Sequence, residues 1–487
     1  MRARTGRPGQ LLTAVVVLCV AMLLATDASA QQATAKIVGT ITDPQGLVVT
    51  GVKITVTNMA TNVATETTSD KSGFYQVLNL PIGRYRIVAR HEGFRQLEVL
   101  TAPLEINQSF RADLKLEVGT ASERVMVESQ AAGVETVNPT IGQSVTSRPI
   151  VNMPLNGRNV LSLALLQPGV TEDNPDNDAG NGLGFSVGGG RSDSITYLLD
   201  GGLNNDLLNN AVVYNPNPDS VAEFRILTSD YTAEYGRNGA GVITVVTKSG
   251  TNDFHGSAFE FLRNTDFDAN AYFNKDPLLN PVPLPRNNLK RNQFGATFGG
   301  PIIKSRLFFF VAYQGQRQIQ TDVLPQQQTF TTAELGGDFS QAVNGGPDPN
   351  VVAFLQANPY FSTPADAANG IIDKIDPAAQ AYIKTGLIPS NASGEIFPVG
   401  GSTNNPYELT AKIDFNITSK DKLTGTIGGN RNPLLQPFGL NNSETAPGLP
   451  STTRVNTSYL NIAYTRTFSP TQLNEFRDSA APQYPAG

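Results

Sequence analysis

Tryptophan is absent from this 487-residue chain, cysteine occurs once, at Cys19, and histidine twice, at His91 and His255. Cys19 sits in an apolar run from Leu11 to Ala25 that follows Arg2, Arg4 and Arg7 and closes on Ala28-Ser29-Ala30. That is the pattern of an export leader cleaved between Ala30 and Gln31. The run is about 15 residues, whereas a spanning helix needs about 20, and Leu18 ahead of Cys19 is too bulky for a lipoprotein cleavage site. The mature chain is therefore expected to hold no cysteine. This excludes disulfides and thiol catalysis and leaves stability to β-pairing or a large core.

No later run approaches the length of a membrane-spanning helix, so a membrane-embedded form must be a β-barrel, the other structure that satisfies its own backbone hydrogen bonds. Of 36 basic and 42 acidic residues, cleavage removes three arginines and Asp27, leaving 33 against 41 and a net charge of −8. Nucleic-acid binding is disfavoured by that balance and by the lack of basic clusters. Two unpaired histidines and no phosphate-binding loop give no basis for a metal, a cofactor or an enzyme.

What is abundant is glycine (45) and proline (32), with many Asn and Thr residues, which favours a mostly β chain rich in turns. A mature length of about 457 residues suggests two to four domains. After the leader (1–30), the first segment, 31–119, reads as short strands at Lys36–Ile41, Val52–Asn58, Gly73–Leu78, Gly83–Arg90 and Phe110–Leu116. Turn signals at Asp43-Pro44-Gln45-Gly46, Ser69–Gly73 and Leu80–Gly83 separate them. The spacing predicts a β-sandwich, with Ile54/Val56 and Tyr85/Ile87/Ala89 on alternating faces. GTITDPQG, GVKITVTN and TSDKSGFYQVLNLPIGRYRIVARHEGF resemble the carboxypeptidase regulatory-like domain, a transthyretin-like sandwich. The resemblance implies a rigid extracytoplasmic module without chemistry of its own.

The second segment, 120–250, opens on Ser122-Glu123-Arg124-Val125-Met126-Val127 and carries one helix, Arg158–Leu166, between Pro154-Leu155-Asn156-Gly157 and Gln167-Pro168-Gly169. FSVGGG, ITYLLDGG, SVAEFRIL and GVITVVTKSG then predict four strands of a compact mixed sheet. The order NMPLNGRNVLSLALLQPGV, FSVGGGRSDSITYLLDGG, DSVAEFRILTSDYTAEYGRNGAGVITVVTKSGTNDFHGSAFEF resembles the plug domain of a TonB-dependent outer-membrane receptor passing into its first barrel strand. With the sandwich in front, the chain is most similar to the Oar-like subgroup. The resemblance makes Lys248-Ser249-Gly250 the seam between plug and barrel. It implies that Leu198-Leu199-Asp200-Gly201 and Ala233-Glu234-Tyr235-Gly236-Arg237 help hold the plug inside, and that Asn156-Gly157-Arg158 belongs to its structural frame. Glycines 236, 239 and Gly241 are expected where side chains would collide with the wall. The strip Glu123, Arg124, Val125, Met126, Val127 resembles a TonB box, an extended segment that a periplasmic energy-transducing protein pairs with by strand addition. A plain interdomain strand is the bland alternative.

In 251–487, Leu409–Asn416 alternates completely, with Leu, Ala, Ile and Phe opposite Thr, Lys, Asp and Asn. This is the period of a transmembrane strand with its apolar face to lipid. The period recurs in His255–Phe261, with Phe259 and Phe261 opposite Gly256, Ala258 and Glu260, and in Gln293–Phe298 and Leu460–Thr465. Leu307–Tyr313 is apolar on both faces, as where a wall packs on a plug. The stretch 316–405, with a short helix at Pro377–Lys384, is expected outside the cell, since long loops are extracellular and turns periplasmic short. A plugged receptor barrel has about 22 strands, and about seven are countable here. SAAPQYPAG is expected to continue no strand. The expectation is an N-terminal fragment whose barrel is incomplete and antiparallel, with girdles of Tyr and Phe replacing Trp.

Three motifs suggest chemistry and are weighed against it. Gly184-Phe185-Ser186-Val187-Gly188 matches a nucleophile elbow, but glycines and another strand follow where a helix is needed. Asp173, Asp176 and Asp178 lack the glutamate that completes a calcium loop. Lys384-Thr385-Gly386 and Ser419-Lys420-Asp421-Lys422 stand in the wrong order for a penicillin-binding enzyme. The resemblance implies a TonB-dependent transporter whose partners are a TonB-type protein, outer-membrane lipid and an extracellular ligand; siderophore, carbohydrate, peptide and exported protein all fit. The alternative is an exported carbohydrate- or protein-binding module with a vestigial barrel.

Overall fold

A computed structural model describes residues 33–119, 124–128, 141–172, 184–206, 210–232, 235–236, 238–270, 272–275, 286, 288–323, 327–396, 398–439 and 450–486. The leader, Glu123 and the Asp173/Asp176/Asp178 stretch lie outside them.

The N-terminal strands are β1 Ala35–Thr42, β2 Lys53–Asn58, β3 Ala64–Thr68, β4 Phe74–Leu80, β5 Tyr85–Arg90, β6 Gln96–Leu100, β7 Ser109–Arg111, β8 Leu114–Lys115 and β9 Arg124–Glu128. They form two sheets, β4-β1-β7 with β8 beside β1, and β3-β2-β5-β6-β9. Ile54, Val56, Tyr85, Ile87 and Ala89 all turn into the core between the sheets, paired across β2 and β5 as Ile54 with Ala89 and Val56 with Ile87. The turn signals act through their aspartates: Asp43 Oδ1 accepts from the amides of Gln45 (2.9 Å) and Leu47 (2.8 Å), and Asp70 Oδ1 from Ser72 (2.8 Å) and Phe74 (3.0 Å). β3 and β6 have no counterpart in the sequence reading, because ATETT is polar and QLEVL breaks strict alternation, whereas the strip 124–127, read as an extended interdomain segment, forms most of β9 in the second sheet.

The central strands are β10 Ile141–Thr146, β11 Val170–Glu172, β12 Phe185–Val187, β13 Ile195–Leu199, β14 Gly202–Leu203, β15 Val221–Ser229 and β16 Gly241–Thr247. The sheet order is β10-β15-β16-β13-β14, with β13 and β16 parallel and the other pairs antiparallel. Every residue of β16 is buried, since apolar clusters cover both faces of the sheet. Two expectations are corrected. FSV is not in this sheet but pairs with β11 in a separate ribbon, because left-handed Gly188 (φ 59°) and Gly189 (φ 77°) turn the chain away after three residues. The expected helix is a 3₁₀ turn at Asn156–Arg158 and a 3₁₀ helix at Val160–Leu166. Left-handed Gly157 and Arg158 and extended Asn159, whose side chain caps Leu161 N at 3.0 Å, prevent one continuous helix.

The last sheet is antiparallel throughout and follows the path β17-β18-β19-β24-β26-β27-β28, with β25 and β29 continuing it beside β19 and β27. Its strands are β17 His255–Asn264, β18 Leu289–Ile303, β19 Leu307–Val323, β24 Val399–Asn404, β25 Tyr407–Asn416, β26 Asp421–Gln436, β27 Ser451–Ser469, β28 Gln472–Ala480 and β29 Gln483–Ala486. SAAPQYPAG therefore does continue strands: Gln483–Ala486 pairs along the long β27, with Pro485 opposite Val455 on the outer edge, where its missing N–H is harmless. Between β19 and β24 stand the short strands β20 Gln327–Gln328, β21 Phe330–Thr331, β22 Ser390–Asn391 and β23 Glu395–Ile396. Four helices accompany them, at Thr332–Leu335, Pro349–Ala357, Pro364–Ala368 and Pro377–Lys384.

In β25 the alternation is realised: Glu408, Thr410, Lys412 and Asp414 are buried on the inner face, while Leu409 and Ile413 are exposed. In β19, Phe308, Phe310 and Ala312 face inward and Val311 and Tyr313 outward. Phe254, Phe298 and Phe309 cluster on the outer face near the β18–β19 turn, with ring centroids 5.6–6.5 Å apart. They put aromatic side chains on the outer face at this end of the sheet without tryptophan.

Candidate functional site

The site is the seam between the central sheet and the inner face of the wall, and it is built around Asp200. This residue occupies the β13–β14 turn in a left-handed conformation (φ 48°), followed by Gly201 (φ 79°). Its Oδ1 accepts from Thr247 N at 3.0 Å and from Lys412 Nζ at 2.9 Å, and its Oδ2 from the hydroxyls of Thr247 at 2.6 Å and Thr426 at 2.8 Å. Its carbonyl accepts from Asn461 Nδ2 at 3.1 Å and from the Arg477 guanidinium. One aspartate thus ties the plug to β25, β26, β27 and β28. A Cβ on Gly201 would lie 2.8 Å from the Arg477 guanidinium, so the glycine lets the wall arginine close on the turn.

A second anchor joins the β14–β15 connection to β25. Glu408 Oε1 accepts from Asn217 N (2.7 Å), Asn217 Nδ2 (3.0 Å) and Tyr214 OH (3.1 Å). The Tyr214 ring lies on Gly428 of β26, where a Cβ would come within 2.3 Å of it. Burial raises the Tyr214 phenol well above its usual range, so it remains a neutral hydroxyl.

The third anchor is Arg158. Its guanidinium pairs with Asp219, both side chains being buried, and Nε donates to Gln314 Oε1 of β19 at 3.1 Å. The cation lies 4.3 Å from the Phe259 ring centre and 4.4 Å from that of Phe261. These two phenylalanines therefore face the plug, contrary to an apolar-to-lipid assignment of β17; the outward face carries Gly256 and Ala258, opposite Phe298 and Ala296. Burial lowers the Arg158 pKa and Asp219 opposes that. Gly157 contributes its carbonyl to Gln293 Nε2 of β18 at 3.2 Å.

At the expected seam, Lys248 N donates to Ser220 O at 2.8 Å, and Gly250 runs against β18 and β19. A Cβ at Gly250 would lie 2.4 Å from Phe309 O and 2.6 Å from Gly300 O. The Lys248 ammonium has a pKa lowered by burial, with Asp219 opposing. Other expected residues lie elsewhere. Tyr235 packs on Leu198, Leu227 and Val242 within the plug, and Gly241 on Val187. Gly239 has open space beside it, so the wall-facing glycines are Gly201, Gly202 and Gly250 instead. Gly236 forms a turn after Tyr235, and Glu234 lies outside the described residues. Asn156 opens the 3₁₀ turn that holds Arg158. Ser186 Oγ donates to Gly190 O at 2.6 Å, closing its turn.

The sandwich meets this assembly at the short-turn end. Asn252 N donates to Ala60 O (3.0 Å) and Asn252 Nδ2 to Thr61 O (2.7 Å), while Asn252 Oδ1 accepts from Ser305 N (2.7 Å) in the β18–β19 turn. On the other side, Glu223 and Arg225 of β15 grip Ile106: Glu223 Oε1 accepts from Ile106 N at 2.9 Å and the Arg225 guanidinium donates to Ile106 O. The strip Arg124, Val125, Met126 and Val127 forms most of β9, in parallel register with Gln96, Leu97, Glu98 and Val99 of β6.

Residues 36–117 match the carboxypeptidase regulatory-like domain and residues 246–481 an outer membrane beta barrel domain. Over 312 residues the chain is 30% identical to the TonB-dependent transporter Oar of Myxococcus xanthus; the match takes in 61% of this chain and 28% of that protein's length. Among solved structures, the chain is similar to a ferric enterobactin receptor of Pseudomonas aeruginosa, crystallised with enterobactin (11% identity, TM-score 0.40, 70% of this chain, 41% of that one). It is also similar to the outer membrane transporter YddB of Escherichia coli (11% identity, TM-score 0.35, 66% and 45%). The two domain matches and the identity to the Myxococcus transporter agree on location as well as type: they support an outer-membrane TonB-dependent receptor of the Oar type.

Proposed function

We propose that this chain is the N-terminal part of a transporter that moves an extracellular ligand across the outer membrane with energy from the TonB system. In this reading the segment 120–250 is a removable stopper, and no covalent chemistry is done on the cargo. The observation that carries the proposal is the Asp200 anchor, a compact set of polar contacts by which one turn of the plug engages β25, β26, β27 and β28. Polar contacts of this kind hold firmly yet exchange for water when pulled apart, unlike an apolar core. The point of pull is the strip 124–127, a strand at the edge of the sandwich sheet that offers its free edge to a periplasmic partner. The long segment between β19 and β24, with its helices, stands at the end opposite the short turns and belongs to the ligand-facing side.

The test is fractionation of the host with an antibody to the sandwich, followed by photo-crosslinking from Val125. A heat-modifiable outer-membrane band that crosslinks to a TonB-type protein supports the proposal. A soluble band, or a membrane band whose strip crosslinks to no such protein in energised cells, ends it.

A further inference from the structure

We infer that the sandwich is the lower gate of the plug, closing a vestibule at the short-turn mouth, and that it must undock before anything can leave that way. A cavity of about 540 Å³ lies at the junction of sandwich, plug and wall. Its upper sides include Asp200, Lys412, Asp414, Lys422, Glu475 and Arg477, so it reaches directly to the principal plug anchor. Its floor is made by the sandwich, through the turns at 58–61, 79–83 and 103–105. A cargo released around the Asp200 turn would enter a charged chamber and meet the sandwich beneath it.

The floor is held from two sides by few, polar and directional contacts. Asn252 joins the Ala60-Thr61 turn to Ser305 at the wall. Across the cavity, Glu223 and Arg225 hold the amide and carbonyl of Ile106. A second cavity of about 110 Å³ separates the sandwich from the β25–β26 turn. A surface docked through a few hydrogen bonds, with space left between, is built to separate rather than to fuse. The same sandwich carries β9 along β6, so a pull on 124–128 loads the gate through its own sheet. The purpose of the gate rests on the transport reading; its closure does not, and is measured without ligand or energy source.

The mature chain is expected to be free of cysteine, which suits thiol chemistry. In outer membranes, Ala463→Cys lines the cavity and reports its opening through labelling by a bulky maleimide. Labelling should be slow in the otherwise unchanged chain, about tenfold faster when Glu223→Ala removes the acceptor for Ile106, and slow again with Glu223→Gln. Asn252→Ala, outside the plug core, provides an independent release and should also accelerate labelling. Equal labelling in all backgrounds overturns the gate while leaving the transport reading standing. Loss of crosslinking between strip and TonB-type protein with the gate results intact would do the reverse.

Discussion

Lys412 Nζ lies 2.9 Å from Asp200 Oδ1, with side-chain exposures of 6% and 4%, in a pair separated by 212 residues of chain. The two partners are unequal. Without Lys412, the Asp200 carboxylate keeps the Thr247 amide and the hydroxyls of Thr247 and Thr426. Without Asp200, the lysine loses its ion-pair partner in the plug and retains the carbonyl of Thr247 at 3.2 Å. Asp200→Ala should therefore destabilise plug seating by about 3–5 kcal/mol, Lys412→Met by distinctly less, and the double variant by less than Asp200→Ala alone. Urea midpoints for exposure of the Asn217 amide, which donates to Glu408 of the wall, to hydrogen exchange give all three values. A double variant as unstable as the sum of the singles would contradict the pairing.

Arg158 should resist replacement by lysine. Its planar cation faces Asp219 and Gln314 while two rings, Phe259 and Phe261, lie within 4.4 Å. A lysine supplies charge but neither the fork nor the flat face. The expected loss is about 1–2 kcal/mol for Arg158→Lys, against about 3–5 kcal/mol for Arg158→Ala, which strands a buried carboxylate. Both are read as shifts in the same urea midpoint, and equal losses would show that only charge matters.

How much of this was legible depended on whether a residue's duty is local. Asp200, Gly201 and Lys248–Gly250 stand in turns whose residue types announce special backbone, and the resemblance made Lys248–Gly250 the seam and gave Asp200 and Gly201 a part in holding the plug inside. Their partners did not announce themselves. Alternation in Leu409–Asn416 put Thr410, Lys412 and Asp414 on one face, but which plug group each meets is set by strand stagger across the sheet, a property no single strand encodes. Phe259 and Phe261 misled because an aromatic residue serves equally on lipid or beneath a guanidinium. Glu223 and Arg225 read as ordinary alternating positions in SVAEFRIL; their role depends on the sandwich returning to the plug, through Ile106 far earlier in the chain.

At Gly250 the constraint is backbone against backbone. A methyl group there would stand 2.4 Å from Phe309 O and 2.6 Å from Gly300 O, and neither carbonyl can swing aside without leaving the β18–β19 ladder. Gly250→Ala should cost about 1–3 kcal/mol by overpacking and Gly250→Val more. Gly239→Ala, with open space around it, should be nearly neutral. Heat-modifiable mobility of membrane-inserted protein separates the cases, and a wild-type pattern for Gly250→Val would refute the close approach.

The clasp on Ile106 should weaken as pH rises. Burial lifts the Glu223 carboxyl from 4.5 to about 7; the Ile106 amide, the Ser144 hydroxyl and Arg225 pull it down, and Glu105 of the sandwich adds to the rise. With the docked value above the free one, docking is strongest below the ordinary carboxylate range, where Glu223 is protonated in both states. It then loses free energy as pH climbs through the window from 4.5 to about 7 and levels off above. The displacement corresponds to roughly 3 kcal/mol at most. Glu223 accepts from Ile106 in either form, so the clasp loosens with pH without losing its geometry. Hydrogen exchange at the Ile106 amide, corrected for its intrinsic pH dependence, should show protection falling across that window in the unchanged chain. Glu223→Gln, which cannot ionise, should flatten the curve; a slope that persists in that variant would assign the pH response to another group.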